Sequence, residues 1–144
     1  MCLVVDTNCM ARVFKKKTKD HNEFKDVRDW IVDGKGKLII GGSDYLKEIS
    51  SYLNIISELA KINKVVSICN ATVDEESEKL KYAFSGRDFD DPHIIALLSV
   101  SKCKVVCSKD KRAYPYFKKR ELYLNGKAPS IYSSSRNKDL LCDQ

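Results

Sequence analysis

Four short apolar runs are spaced along this chain: Leu3-Val4-Val5, Leu38-Ile39-Ile40, Val65-Val66-Ser67-Ile68 and Val105-Val106-Cys107. Between them, apolar residues recur instead at three- and four-residue steps, as in Phe24, Val27, Trp30 and Ile31. Apolar runs without alternation suit strands covered on both faces, and the intervening period suits helices. Such a succession predicts an α/β domain, a three-layer α-β-α arrangement around a mainly parallel central sheet. A chain of 144 residues holds one such domain, assigned to residues 1–132, with 133–144 as a polar C-terminal tail or short helix.

Local signals refine this outline. Gly34 and Gly36 close a helix over roughly 23–32. Ser43 reads as the N-cap of a long helix whose apolar face is Tyr45, Leu46, Ile49, Tyr52, Leu53, Ile56 and Leu59. Thr72-Val73-Asp74-Glu75 has the form of a capping box. Asp91-Pro92 marks another helix start, with the acid at the N-cap and proline first in the helix. His93 then reads as a polar helix-start residue and not as a base. Ile131-Tyr132 predicts a last edge strand.

The formal charge is +6, and nearly all of the excess lies in one place. Residues 109–120 carry six bases and one acid, interleaved with Tyr114, Tyr116 and Phe117, whereas the first 108 residues carry 17 bases and 16 acids. A basic run with aromatics suits a polyanion, and the same rings suit packing at the sheet end equally well. The apolar-rich run 94–100 falls far short of the roughly 20 residues needed to span a membrane. The opening Leu3-Val4-Val5 meets an acid at once, unlike a signal peptide. Six cysteines without C-x-x-C spacing then read as reduced thiols, and a cytoplasmic location is expected.

In a parallel sheet, ligands collect at the carboxyl ends of the strands. Asp6 ends the first strand and Asp110 lies just past the Val105-Val106-Cys107 strand. Glu48 lies in the first turns of the helix after Leu38-Ile39-Ile40, and Asp91 starts the helix that feeds the fourth run. These four acids are expected to meet along one rim. Two like charges about 4 Å apart repel by about 4 kcal/mol at an effective dielectric of 20, so such a cluster protonates in part or holds a cation. All-oxygen donors suit Mg²⁺ or Mn²⁺, which can activate water and neutralise a phosphoryl group. Lys109, Lys111 and Arg112 flank Asp110 and would hold the polyanion that bare acids repel.

At these residues the chain resembles the PIN-domain nucleases. Leu3-Val4-Val5-Asp6-Thr7-Asn8 resembles the family's opening strand and first metal-binding aspartate. Residues 43–48 resemble the segment with the helical glutamate, Asp88-Phe89-Asp90-Asp91-Pro92-His93 the third acidic motif, and Val105-Val106-Cys107-Ser108-Lys109-Asp110-Lys111 the fourth. The resemblance covers about residues 1–120, with the motifs in the family's order. It implies a PIN-like fold and a divalent-metal-dependent endoribonuclease that leaves a 5′-phosphate and a 3′-hydroxyl. Asp6, Glu48, Asp91 and Asp110 would bind Mg²⁺ or Mn²⁺, with Asp88 as an auxiliary acid and Thr7, Asn8 and Ser108 supporting them from behind. Lys118, Lys119 and Arg120 would extend the RNA track of Lys109, Lys111 and Arg112. Many bacterial members are toxins checked by a cognate antitoxin, and the family often dimerises, so an antitoxin or a second copy are partners the resemblance implies. Arg112 stands where many members carry a second acid, which bears on how many ions are held.

Two other readings stay open. One is a catalytically silent PIN-like module that binds RNA or protein. The other is a haloacid-dehalogenase-like phosphatase, which needs an acid two residues after its nucleophilic aspartate. That position here is Asn8.

Overall fold

The computed structural model describes residues 2–84 and 92–141. Five strands form one sheet: β1 (Cys2–Val5), β2 (Lys37–Gly41), β3 (Val65–Ile68), β4 (Val105–Cys107) and β5 (Ser130–Tyr132). Their order is β3-β2-β1-β4-β5, and every pairing is parallel. The strand order reverses between β1 and β4, so the crevice beyond their carboxyl ends is the topological switch point. Register puts Val5 beside Cys107 there, and the Asp6 N–H continues the ladder by donating to the Cys107 carbonyl at 2.8 Å.

Helices α1 (Thr7–Phe14) and α2 (His21–Val32) pack together, and α2 also holds a 3₁₀ helix at Ser135–Leu140. A second group comprises α3 (Ser43–Glu48), α5 (Asn70–Ala83) and α6 (Pro92–Ser101), with α4 (Leu53–Lys61) against β3. The three-layer α/β architecture is thus in place, with a sheet that is wholly parallel. In α6, every residue from Pro92 to Ser99 is buried, because the helix lies on β1, β2 and β3 and is covered by α5. A helix surrounded in this way is apolar on all sides. Trp30 is a core residue that closes over Gly36, where a Cβ would sit 2.3 Å from the indole. Helix α7 (Tyr114–Phe117) follows β4.

Three local expectations need correction. The long helix from Ser43 breaks after Glu48 into α3, a 3₁₀ turn at Ser50–Tyr52 and α4. The break turns Leu53 outward, to 46% exposure; Ser50 and Ser51 favour it weakly through their low helix propensity. Ser43 is not the N-cap. Gly42 takes that place at φ 90°, a left-handed value that glycine tolerates, and a Cβ there would meet Val73 Cγ1 at 2.7 Å. The capping box at Thr72 does not form, since α5 begins two residues earlier, at Asn70. Its polar residues serve α3 instead. Asn70 Oδ1 accepts from the Gly42 N–H at 2.9 Å, and Asp74 accepts from the Ser43 N–H at 2.8 Å and from its hydroxyl at 2.5 Å. The open amides at the start of α3 are therefore capped by another helix. These bonds hold the Asp74 carboxyl below its ordinary value.

Candidate active site

Asp6 is 3% exposed. Burying a carboxylate costs free energy unless hydrogen bonds replace water. Its Oδ2 accepts from the Ser108 hydroxyl at 2.8 Å and from the Asn8 amide at 3.1 Å. Ser108 comes from the far side of the crevice, 102 residues along the chain. Asn8 completes the link, its Oδ1 accepting from the Lys109 N–H and the Cys9 thiol, each at 3.1 Å. Below them burial pushes the Cys107 thiol well up, with the neighbouring Cys9 and the Asp6 charge adding to the shift. The layer under the rim is thus neutral.

Glu48 ends α3, and its Oε2 accepts from the Thr7 hydroxyl at 2.6 Å and from His93 Nε2 at 3.1 Å. Thr7 follows Asp6 directly, and His93 opens α6. Three elements therefore meet at one carboxylate oxygen. Tyr45 shows the same convergence. Its hydroxyl donates to the Val5 carbonyl at 2.5 Å, and its pKa is driven upward by burial first, then by the charges of Asp6, Cys107 and Glu48. A cavity of about 400 Å³ adjoins Glu48, lined by Asp44, Lys47, Lys81 and His93 as well.

Asp110 reaches this network one step removed. Its N–H donates to the Ser108 hydroxyl at 3.2 Å, while its own Oδ1 accepts from the Arg112 N–H at 3.2 Å. Ser108 thus bridges Asp6 and the Asp110 backbone. Asp6, Glu48 and Asp110 line the same rim, yet among the described residues no three His, Cys, Asp or Glu side chains stand close enough together to hold one ion. Asp88 and Asp91 lie outside the described residues. The donors are all hard oxygens, held from behind by Thr7, Asn8 and Ser108, and that chemistry fits Mg²⁺ or Mn²⁺.

The basic residues divide into two groups. Lys109 turns its ammonium to Asp20 at 3.6 Å and over the Phe24 ring at 6.0 Å. Arg112 Nε lies 3.9 Å from Asp110, and Lys111 is exposed. These three flank the acids. Lys118 and Arg120 instead line a separate cavity with Gly126, Lys127 and Ala128. Lys119 lies over the Tyr116 ring at 5.1 Å. Of the aromatics, Phe117 is core, and Tyr114 is half-buried with its hydroxyl on the Ser108 carbonyl at 2.7 Å.

His93 is the residue that sequence reasoning undervalued. The signal was present: one polar side chain within the apolar stretch 92–98, where a buried polar group needs a partner. Among the described residues, no helix is long and apolar enough to cross a membrane, and the five described cysteines are free thiols. Comparison with known protein families, with curated proteins and with solved structures finds no match to this chain.

Proposed function

We propose that this protein is a divalent-metal-dependent endoribonuclease of the PIN type. The observation that supports it best is the rim itself. The topological switch point carries a buried carboxylate, Asp6, bonded across the crevice to Ser108, and Thr7 and His93 draw Glu48 to the same edge. Asp6, Glu48, Asp91 and Asp110 would hold Mg²⁺ or Mn²⁺. When bound, the ion supplies an activated water and neutralises charge on the phosphodiester.

The chain's own residues do the rest. Ser108 and Asn8 orient Asp6, and Thr7 and His93 orient Glu48. Lys111 and Arg112 offer cations to the RNA backbone beside the acids. A cognate antitoxin or a second copy remains part of this proposal as an expected partner. The rival reading, an RNA-binding module without catalysis, draws on one observation, that the described donors alone make no three-ligand set.

The deciding experiment incubates the protein with labelled single-stranded RNA and Mn²⁺ or Mg²⁺, with and without EDTA, beside Asp6→Asn. The expected outcome is cleavage that needs the metal and is lost in the variant, which keeps the site's shape but not its charge. Binding without metal-dependent cleavage would select the module.

A further inference from the structure

Besides the acidic rim, the molecule has one other concentration of chemistry, at the opposite end of the sheet. Ser130 opens β5 with its N–H on the Lys104 carbonyl at 2.8 Å, so residues 127–129 lie at the amino ends of the strands. The Leu124 N–H bonds the Ser99 hydroxyl near the end of α6 at 2.8 Å, which places the 124–127 loop at that same end. There Lys118, Arg120 and Lys127 line a cavity of about 500 Å³ that no acid lines. None of these cations has a hydrogen bond or ion pair among the described residues; Glu121 is the nearest acid in sequence, and it is exposed.

A second cavity, of about 420 Å³, follows the exposed edge strand. Lys118, Pro129 and Ser130 form one end, Tyr114, Ser133 and Asn137 the other. Lys118 borders both cavities. At the upper end Tyr114 is bonded to the Ser108 carbonyl, and the Ser108 N–H donates to the Tyr132 carbonyl at 3.0 Å. The two cavities therefore form a trough from beside Ser108, along β5, to three uncompensated cations.

We propose that this trough carries the RNA strand away from the cleavage site, with Tyr114 as a stacking face and a distal phosphate seated among Lys118, Arg120 and Lys127. The inference rests on the ribonuclease reading. Charge complementarity favours RNA over a peptide added to the β5 edge, because the trough ends in cations and a peptide backbone is neutral. α6 has 10 residues and runs from the acidic rim to the far one, about 15 Å at 1.5 Å per residue. At about 3.4 Å per stacked nucleotide that span is roughly four to five nucleotides. Oligonucleotides of three nucleotides would then sit at the rim only, whereas ten-nucleotide strands would reach the cavity.

The test measures binding of fluorescent 3-mer and 10-mer RNA in EDTA over a salt series, for the wild-type protein and a Lys118→Ala/Arg120→Ala/Lys127→Ala variant. All three side chains are exposed, so the variant is expected to fold, as circular dichroism would check. The expected result is a slope of log affinity against log salt lowered by about 2 for the 10-mer, at about 0.7 per contact. The 3-mer slope should not change. An unchanged 10-mer slope, or equal losses for both lengths, overturns the trough, and an unchanged slope leaves the β5 edge to a protein partner. Wild-type protein that cleaves RNA while the variant binds normally would sink this inference alone. Wild-type protein that neither binds nor cleaves any RNA would sink the ribonuclease reading with it.

Discussion

At the rim where β1 and β4 end, the polar groups are buried and bonded to one another; at the opposite rim, Lys118, Arg120 and Lys127 stand in solvent around an open cavity. The contrast follows from what each charge is asked to do. A hard cation needs oxygen donors held to a fraction of an ångström, which requires packing and supporting bonds behind each one. A phosphate on a flexible strand is attracted at long range, and mobile lysines serve it well without fixed geometry. Order and looseness are thus divided between the two ends of one sheet.

The sharpest way to break this contrast is at Ser108, which is fully buried. Ser108→Ala removes a donor to Asp6 and should lower cleavage about 10- to 100-fold. It should also cost about 1–3 kcal/mol in urea unfolding, because a buried acceptor loses a partner. Lys127→Ala at the far rim should shift stability by no more than about 0.5 kcal/mol. Equal costs at the two ends would mean that the acidic rim is no better organised than the basic one.

His93 sharpens the comparison within the acidic rim. His93→Ala should lower cleavage by about 10-fold or more through a misplaced Glu48, and His93→Gln, whose amide can still donate, should recover part of it. Glutamine and alanine performing alike would show that the bond to Glu48 does not position it.

The smallest effect concerns acid. Asp74 is held below 3.8 by the Ser43 hydroxyl and amide, and Glu23 below 4.5 by the Ser135 amide and hydroxyl. A depressed carboxyl contributes stability that is present above its ordinary value and lost as pH falls through the lowered one. Amide exchange at the start of α3 should therefore lose protection below about pH 4, and Asp74→Asn should make that protection insensitive to pH there. Persistence of the wild-type pH dependence in Asp74→Asn would assign it to another group.

How much of this was legible beforehand depends on the range of the forces involved. The strands were readable because each is a short apolar run ended by an acid, a glycine or a change of period, all local features. The rim position of Asp6, Glu48 and Asp110 followed from topology alone. The break after Glu48 was not legible, since Tyr45, Ile49, Ile56 and Leu59 keep helical spacing across it. The cap on α3 was hidden because Asn70 and Asp74 act from 28 and 31 residues away. The charge run 109–120 looked continuous in sequence, but α7 carries its second half off the rim and down the edge strand, so Lys118 and Arg120 part from Lys111 and Arg112.

The bond between Asp6 and Ser108 has a temporal side as well. Its two ends are separated by 102 residues, so a growing polypeptide exposes the first acid long before its serine has been synthesised. Contacts of such separation are slow to form. An incomplete chain on the ribosome, surrounded by RNA, would therefore lack an organised cutting edge until translation was nearly over.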